Sequence, residues 1–263
     1  MLYGGEIMRL LEQHKKKFFI LSGLLFVLAI VGVLLEAFLK GIISTIFLGF
    51  LQNGAFLRFD FERLLRMAWR LVERNFMSYL AAWLGIFVGA LGTILYIACY
   101  GAGAFHSAKT GKRSVFTLIG SGWVILFIAL SVVLGVVSFV MTKNWELLLN
   151  MLVKGPSIFI LAVCLFVFGI VKPKGPAIPI ISAILILLTG GVISVFQIIS
   201  VIVNLFSSYW PFVYNLFGFI CSAIAICSSL CFYLGLLLHV PLAYYQPKVA
   251  EEIPETITET EDN

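Results

Sequence analysis

Three stretches of this chain contain no Asp, Glu, Lys or Arg: Asn75–Ala108, Ser114–Thr142 and Gly175–Pro247. A helix needs roughly 20 apolar residues to cross about 30 Å of hydrocarbon. Each stretch is long enough for one crossing, and the third for at least two. Within lipid every backbone N–H and C=O must be paired inside the protein, so only helices or closed barrels can span. Barrel strands alternate apolar and polar residues. Runs such as Ile178–Leu188 do not. The pattern therefore predicts an all-α, polytopic transmembrane bundle. Composition agrees: 61% of residues are hydrophobic, 12% are charged, and mean hydropathy is +1.07. A soluble domain is nearer half apolar and a quarter charged.

The net charge of +5 conceals a split, because six of the 13 acids fall in the last 13 residues. Residues 1–17 form a basic lead-in with Arg9, Lys15, Lys16 and Lys17, and residues 18–246 form the membrane domain. Residues 247–263 are acidic and Thr-rich with no core-forming pattern, the composition of a disordered tail. A basic membrane body suits anionic lipid head groups. Its basic residues sit beside spans rather than on a soluble face, which argues against nucleic acid. Protein partners or self-association would use the helix faces. Clustered Lys before the first span predicts a cytoplasmic N-terminus in the cell membrane. That first run starts at Phe18 and is followed by Glu36 rather than a small-residue cleavage motif, unlike a signal peptide.

Predicted spans are Phe18–Leu35, Phe76–Phe105, Val115–Met141, Pro156–Val171, Ala177–Phe206 and Phe212–His239. Glu36–Gly41 interrupts the first apolar run. Ile42–Leu57 then reads as a crossing, a re-entrant segment or a continuation of the first helix, leaving six or seven spans. Basic residues divide 11 to 7 across the membrane with seven spans and 10 to 8 with six, too even a difference to choose. Residues 143–154 read as a connector, and Lys172-Pro173-Lys174-Gly175-Pro176 as a turn. Gly85 and Gly89 form a GxxxG pair, a spacing that lets membrane helices approach closely.

Phe59–Asn75 differs in kind. Arg63, Arg66, Arg70 and Arg74 share one helical face, Leu64, Leu65, Ala68, Leu71 and Val72 occupy others, and Trp69 flanks the arginines. This predicts a basic amphipathic helix lying in the interface against phosphates. A solvated charged connector is the plainer alternative.

Candidate chemistry is sparse. Gly111-Lys112 lacks the P-loop context, because His106 and Arg113 stand where Gly and Ser or Thr are needed. The five Cys lie in apolar runs and read as small packing residues, and no cofactor or metal site is expected. Glu36 and Lys40, four apart, read first as a self-paired helix contact and second as a transport pair. His239 reads as an interfacial histidine. The last two spans carry polar faces: Gly190, Ser194, Gln197, Ser200 and Asn204 on one, Asn215, Gly218, Ser222, Ser229 and Tyr233 on the other. Antiparallel pairing would bring Asn204 near Asn215 and Gln197 near Ser222. Such residues avoid lipid, so the stripe predicts interhelical glue or the wall of a polar path.

Leu71-Val72-Glu73-Arg74-Asn75-Phe76, a Gly-rich span, Gly111-Lys112-Arg113-Ser114-Val115 and another span make Leu64–Val140 resemble prokaryotic multi-pass families of the YciC type and those akin to the glycerophosphodiester phosphodiesterase membrane domain. The resemblance implies a six-span membrane protein with no agreed biochemical activity. The segment Phe18–Leu57 is an addition to that pattern. No soluble phosphodiesterase domain accompanies it, so hydrolase activity is not expected. Three functional expectations follow, in order: a non-catalytic accessory, scaffold or envelope protein; a transporter or channel along the polar stripe; and an intramembrane lipid-acting enzyme.

Overall fold

The computed structural model describes residues 14–43, 66, 70, 73, 76–110, 114–142, 145–171, 177–207 and 212–244. Among them there is no strand. Six helices are present: α1 (Lys15–Phe38), α2 (Phe76–Thr110), α3 (Val115–Thr142), α4 (Trp145–Val171), α5 (Ala177–Ser207) and α6 (Phe212–Tyr244). Five contain windows long and apolar enough to cross a membrane, and α4 contributes the shorter apolar stretch Ile158–Val171. At 1.5 Å per residue even α1, with 24 residues, rises about 36 Å. The protein is therefore an all-helical, multi-pass membrane protein.

Each helix packs on its neighbour in the chain, and α6 returns to pack on α1, so the six helices close a ring. The register is antiparallel around the ring. Gly23 meets Phe105 while Gly41 meets Phe87, and Gly103 meets Thr117 while Gly92 meets Phe127. Ser22 bonds to Gly235 while Ala29 bonds to Ser228. Accordingly α1, α3 and α5 run one way and α2, α4 and α6 the other. The end of α1 and the start of α2 lie at the same end of the bundle.

The exterior is apolar, as a lipid-facing surface requires: Leu28 is 57% exposed, Val88 61% and Leu188 61%. The interior holds aromatic rings and hydroxyls. Phe26 is fully buried between two glycines, where a Cβ on Gly235 would stand 2.9 Å from its ring and one on Gly101 3.3 Å from its Cβ. Its ring stacks on Tyr100 at 6.0 Å and meets Phe232 at 5.9 Å. Lipid tails are as apolar as leucine, so such close packing, rather than water exclusion, holds membrane helices together.

Several helix boundaries differ from the sequence reading. Across Glu36–Gly41, where the apolar run is interrupted, the helix continues: α1 runs to Phe38 and widens into a π-turn at Leu39–Ile43, as the continuation alternative has it up to the last described residue. The Glu36–Lys40 ion pair, four residues apart, satisfies both charges along the helix itself. The basic loop expected from His106 begins only after Thr110, whose hydroxyl donates to the His106 carbonyl. Residues 145–154, expected as connector, are the first turns of α4, which continues unbroken past Pro156. Membrane helices accommodate proline because surrounding groups re-satisfy the freed carbonyl. Ser114 caps α3, accepting the Phe116 N–H at 3.2 Å. Most of Ile42–Leu57, the tail 247–263, and Arg63 and Arg74 lie outside the described residues.

The GxxxG expectation meets a different outcome. Among the described residues nothing stands within 4 Å of a Cβ on Gly85 or Gly89. Close approach occurs elsewhere, as at Gly32, where a Cβ would lie 2.7 Å from that of Ser228.

Replacing Phe26 with Ala is expected to destabilise the bundle by roughly 2–4 kcal/mol, somewhat below the range for soluble cores because transfer from lipid contributes little. Leu28→Ala, on the lipid face of the same helix, should cost under ~1 kcal/mol. Denaturant titration of the two variants in one detergent checks the difference.

A candidate intramembrane chamber

The polar interior is organised by hydroxyls that cross between helices. Ser22 donates to the Gly235 carbonyl at 2.8 Å, and Ser228 returns the contact to Ala29 at 2.8 Å, tying α1 to α6 twice. Tyr244 donates to the Leu165 carbonyl at 2.8 Å, tying α6 to α4. Trp123 donates from Nε1 to the Gly92 carbonyl at 3.1 Å, tying α3 to α2. These carbonyls already accept within their helices and use a second lone pair here.

A longer chain of contacts joins α2, α3 and α6. The Ser121 hydroxyl donates to Thr117 O at 3.0 Å, so its single proton is committed and the Tyr100 hydroxyl, 2.7 Å away, donates to it. Thr117 Oγ1 lies 2.9 Å from His239 Nε2. His239, expected at the interface, is wholly enclosed: it is 0% exposed, with Phe19 edge-on at 5.3 Å. Its Nδ1 is buried with no hydrogen-bond partner among the described residues.

A half-open cavity of about 210 Å³ lies among these helices. Tyr96, Ile97 and Tyr100 of α2 line one side, and Val124 of α3 adjoins them. Ile158, Leu161, Ala162 and Leu165 of α4 form an aliphatic wall. Ile193 and Gln197 come from α5, and Ser229, Phe232, Tyr233 and Leu236 from α6. Five helices contribute, and none of the described lining residues comes from α1. The wall is mostly apolar and, among the described residues, carries no formally charged side chain. Gln197 is half-buried, and its Oε1 is shielded with no hydrogen-bond partner among the described residues.

Of the polar-face residues singled out from sequence, Gln197, Ser229 and Tyr233 line this cavity, whereas Ser222, seven positions before Ser229 on α6, is half-buried away from the lining. The side chains of Asn204 and Asn215 lie outside the described set. Glu36 and Lys40 pair with each other at 2.5 Å, as the local reading predicts. Arg66 and Arg70 are helical and exposed. Of the cysteines Cys221 is buried but Cys227 faces outward, so packing does not account for all five. Among the described residues no three His, Cys, Asp or Glu side chains converge.

Sequence reasoning overlooked Ser22, Thr117, Ser121 and Ser228. Each is a single small hydroxyl in an apolar run, and only the neighbouring helix reveals its acceptor. Comparison with protein-family models, curated proteins and solved structures returns no match for this chain.

Thr117→Val should destabilise the protein by about 1–3 kcal/mol, because it leaves both nitrogens of His239 buried without a partner. Adding His239→Phe should recover part of that loss. A double-mutant cycle on thermal unfolding checks this, and simple additivity would contradict it.

Proposed function

We propose that this chain is a six-span, non-catalytic protein of the cell membrane, serving as an accessory or scaffold, with the start of α1 and the end of α6 on the cytoplasmic side. The observation that carries the reading is the use of the interior hydroxyls. Those of Ser22, Ser228, Tyr244 and Tyr100 are spent on joining helices, which makes a tied ring rather than a set of groups converging on a reacting atom. The broad apolar exterior leaves ample helix face for a protein partner or a second copy.

The span count is supported by direction. With α1 antiparallel to α2, the chain leaves α1 and enters α2 at one end, so one extra crossing between them does not fit. The basic lead-in favours a cytoplasmic N-terminus, with the Lys109–Arg113 loop and the end of α6 on the same side and Arg63, Arg66, Arg70 and Arg74 at the opposite interface. Single cysteines at Asp60 and Thr110, in a chain freed of native thiols, are expected to label from opposite sides with a membrane-impermeant reagent. Labelling from one side would contradict the arrangement. A peptide of residues 59–75 should bind anionic vesicles, and Gln at the four arginines should weaken that binding at low salt.

A transporter is the second reading, favoured by Gln197 at the chamber. Purified protein in liposomes decides between them. Solute leakage equal to that of empty liposomes, with a protein partner retained through native-membrane extraction, is the outcome expected of an accessory protein. Flux that falls on Gln197→Leu would replace it with transport.

A further inference from the structure

We propose that the half-open cavity is a binding site for the methyl end of a lipid acyl chain, taken in from the surrounding bilayer. This goes beyond the accessory reading and does not rest on it.

The direction of the opening follows from burial along the lining. α2, α4 and α6 run the same way, and on each the lining residue nearer the start of the helix is the more exposed. Tyr96, Ile158 and Ser229 are half-buried, whereas Tyr100, Leu165 and Leu236, one or two turns further on, are buried. α5 runs against them and shows the reverse order, with Ile193 buried and Gln197, one turn later, half-buried. The cavity is therefore blind toward the end of the bundle where α1 starts and open toward the end where α2, α4 and α6 start.

Depth decides what stands at that opening. Tyr96 and Ser229 lie near the middle of the apolar windows Trp83–Thr110 and Gly218–Tyr244. The opening is thus close to the midplane of the bilayer, where the ends of acyl chains meet and head groups do not reach. No described lining residue carries a formal charge, and an unpaired charge moved into such a space is strongly disfavoured.

Width selects among the occupants. Ser229 and Leu236 are seven positions apart, about 10 Å along α6. Spread over that length, about 210 Å³ gives a cross-section of about 20 Å², the width of one extended hydrocarbon chain. A helix, about 10–12 Å across, is far too wide to enter. Water needs two to four polar partners. The Tyr100 proton is already given to Ser121, and Gln197 Oε1 is shielded, so the wall offers water little. An apolar cavity of about 150 Å³ takes up benzene, so by proportion this one accommodates roughly eight carbons of a chain. Transfer from lipid contributes little to this binding. The gain is the dispersion contact that the lining of an empty cavity forfeits.

Photolabelling tests the idea. The full chain is placed in nanodiscs whose phospholipid carries a diazirine near the methyl end of one acyl chain, and in a second set with the diazirine near the carbonyl. Mass spectrometry then locates the adducts. Ile193, Leu161 and Leu165 are buried from the bulk bilayer, so an adduct there requires a chain inside the cavity. Such adducts are expected from the methyl-end probe and not from the carbonyl-end probe. Ala162→Phe, which puts a ring into the cavity, should abolish them and leave adducts at exposed Leu188 unchanged. Methyl-end adducts confined to exposed residues overturn the proposal, and that result needs no variant to fold. Interior adducts of equal yield from both probes overturn the stated direction of entry and with it the proposal. Interior adducts that persist in Ala162→Phe exclude the cavity as their source and overturn it. Hydroxyl-radical oxidation of Tyr233 in nanodiscs without probe, as a water-filled path gives, overturns it in favour of water.

Discussion

Helices in a bilayer gain little by hiding leucines from lipid, so a membrane bundle depends on places where backbones come unusually close. Here that place is the seat of α1 between α2 and α6. Phe26 fills the space left by Gly101 and Gly235, and Ser22 and Ser228 exchange hydroxyl bonds across the same seam. A side chain at either glycine would push the seam apart and take the hydroxyls out of reach of their carbonyls. Packing and hydrogen bonding thus require one another. α1 is held against α6, and the ring of described helices closes between them.

Closure has a consequence at the centre. With α1 seated between α2 and α6, residues of the other five helices line a common space. Large side chains from α2 and α6 fill part of it, and the aliphatic residues of α4 do not reach across. The chamber is what remains. Gln197 lines that space with its Oε1 shielded and without a partner among the described residues, in contrast to the Tyr100, Ser121 and Thr117 groups, which complete one another between α2 and α3. One interior thus contains both a satisfied polar network that fixes helix positions and an unsatisfied acceptor beside empty space.

The outer limits of most helices were legible from charge and hydropathy. Val115–Met141 and Ala177–Phe206 match α3 and α5 within a residue, because charge and proline punctuate the chain sharply there. Boundaries that depend on pairing were not legible. Whether the first helix continues past Glu36–Gly41 was left open by hydropathy, because the charges interrupt the apolar run while their spacing of four suits a helix. Residues 145–154 read as connector because their charges interrupt hydropathy, yet helix propensity carries through them. Gly85 and Gly89 had the spacing of a helix contact, but spacing does not say which face meets a neighbour. His239 looked interfacial from its place near the end of a span. Its burial depends on Thr117 and Phe19, which are remote in sequence.

The sequence by itself determined the solvent and the element: charge-free runs of this length belong in lipid, and lipid permits such runs to be nothing but helix. It also marked Gln197 as a residue that must avoid lipid. Tertiary structure decided the ring order, the antiparallel seating of α1, and the cavity that Gln197 lines. The physical reason is that hydropathy is a property of each residue against its solvent, whereas a seam, a hydroxyl's acceptor or a void is a relation between residues hundreds of positions apart. Ser22 and Gly235, 213 positions apart, carry no sign of each other until the helices meet.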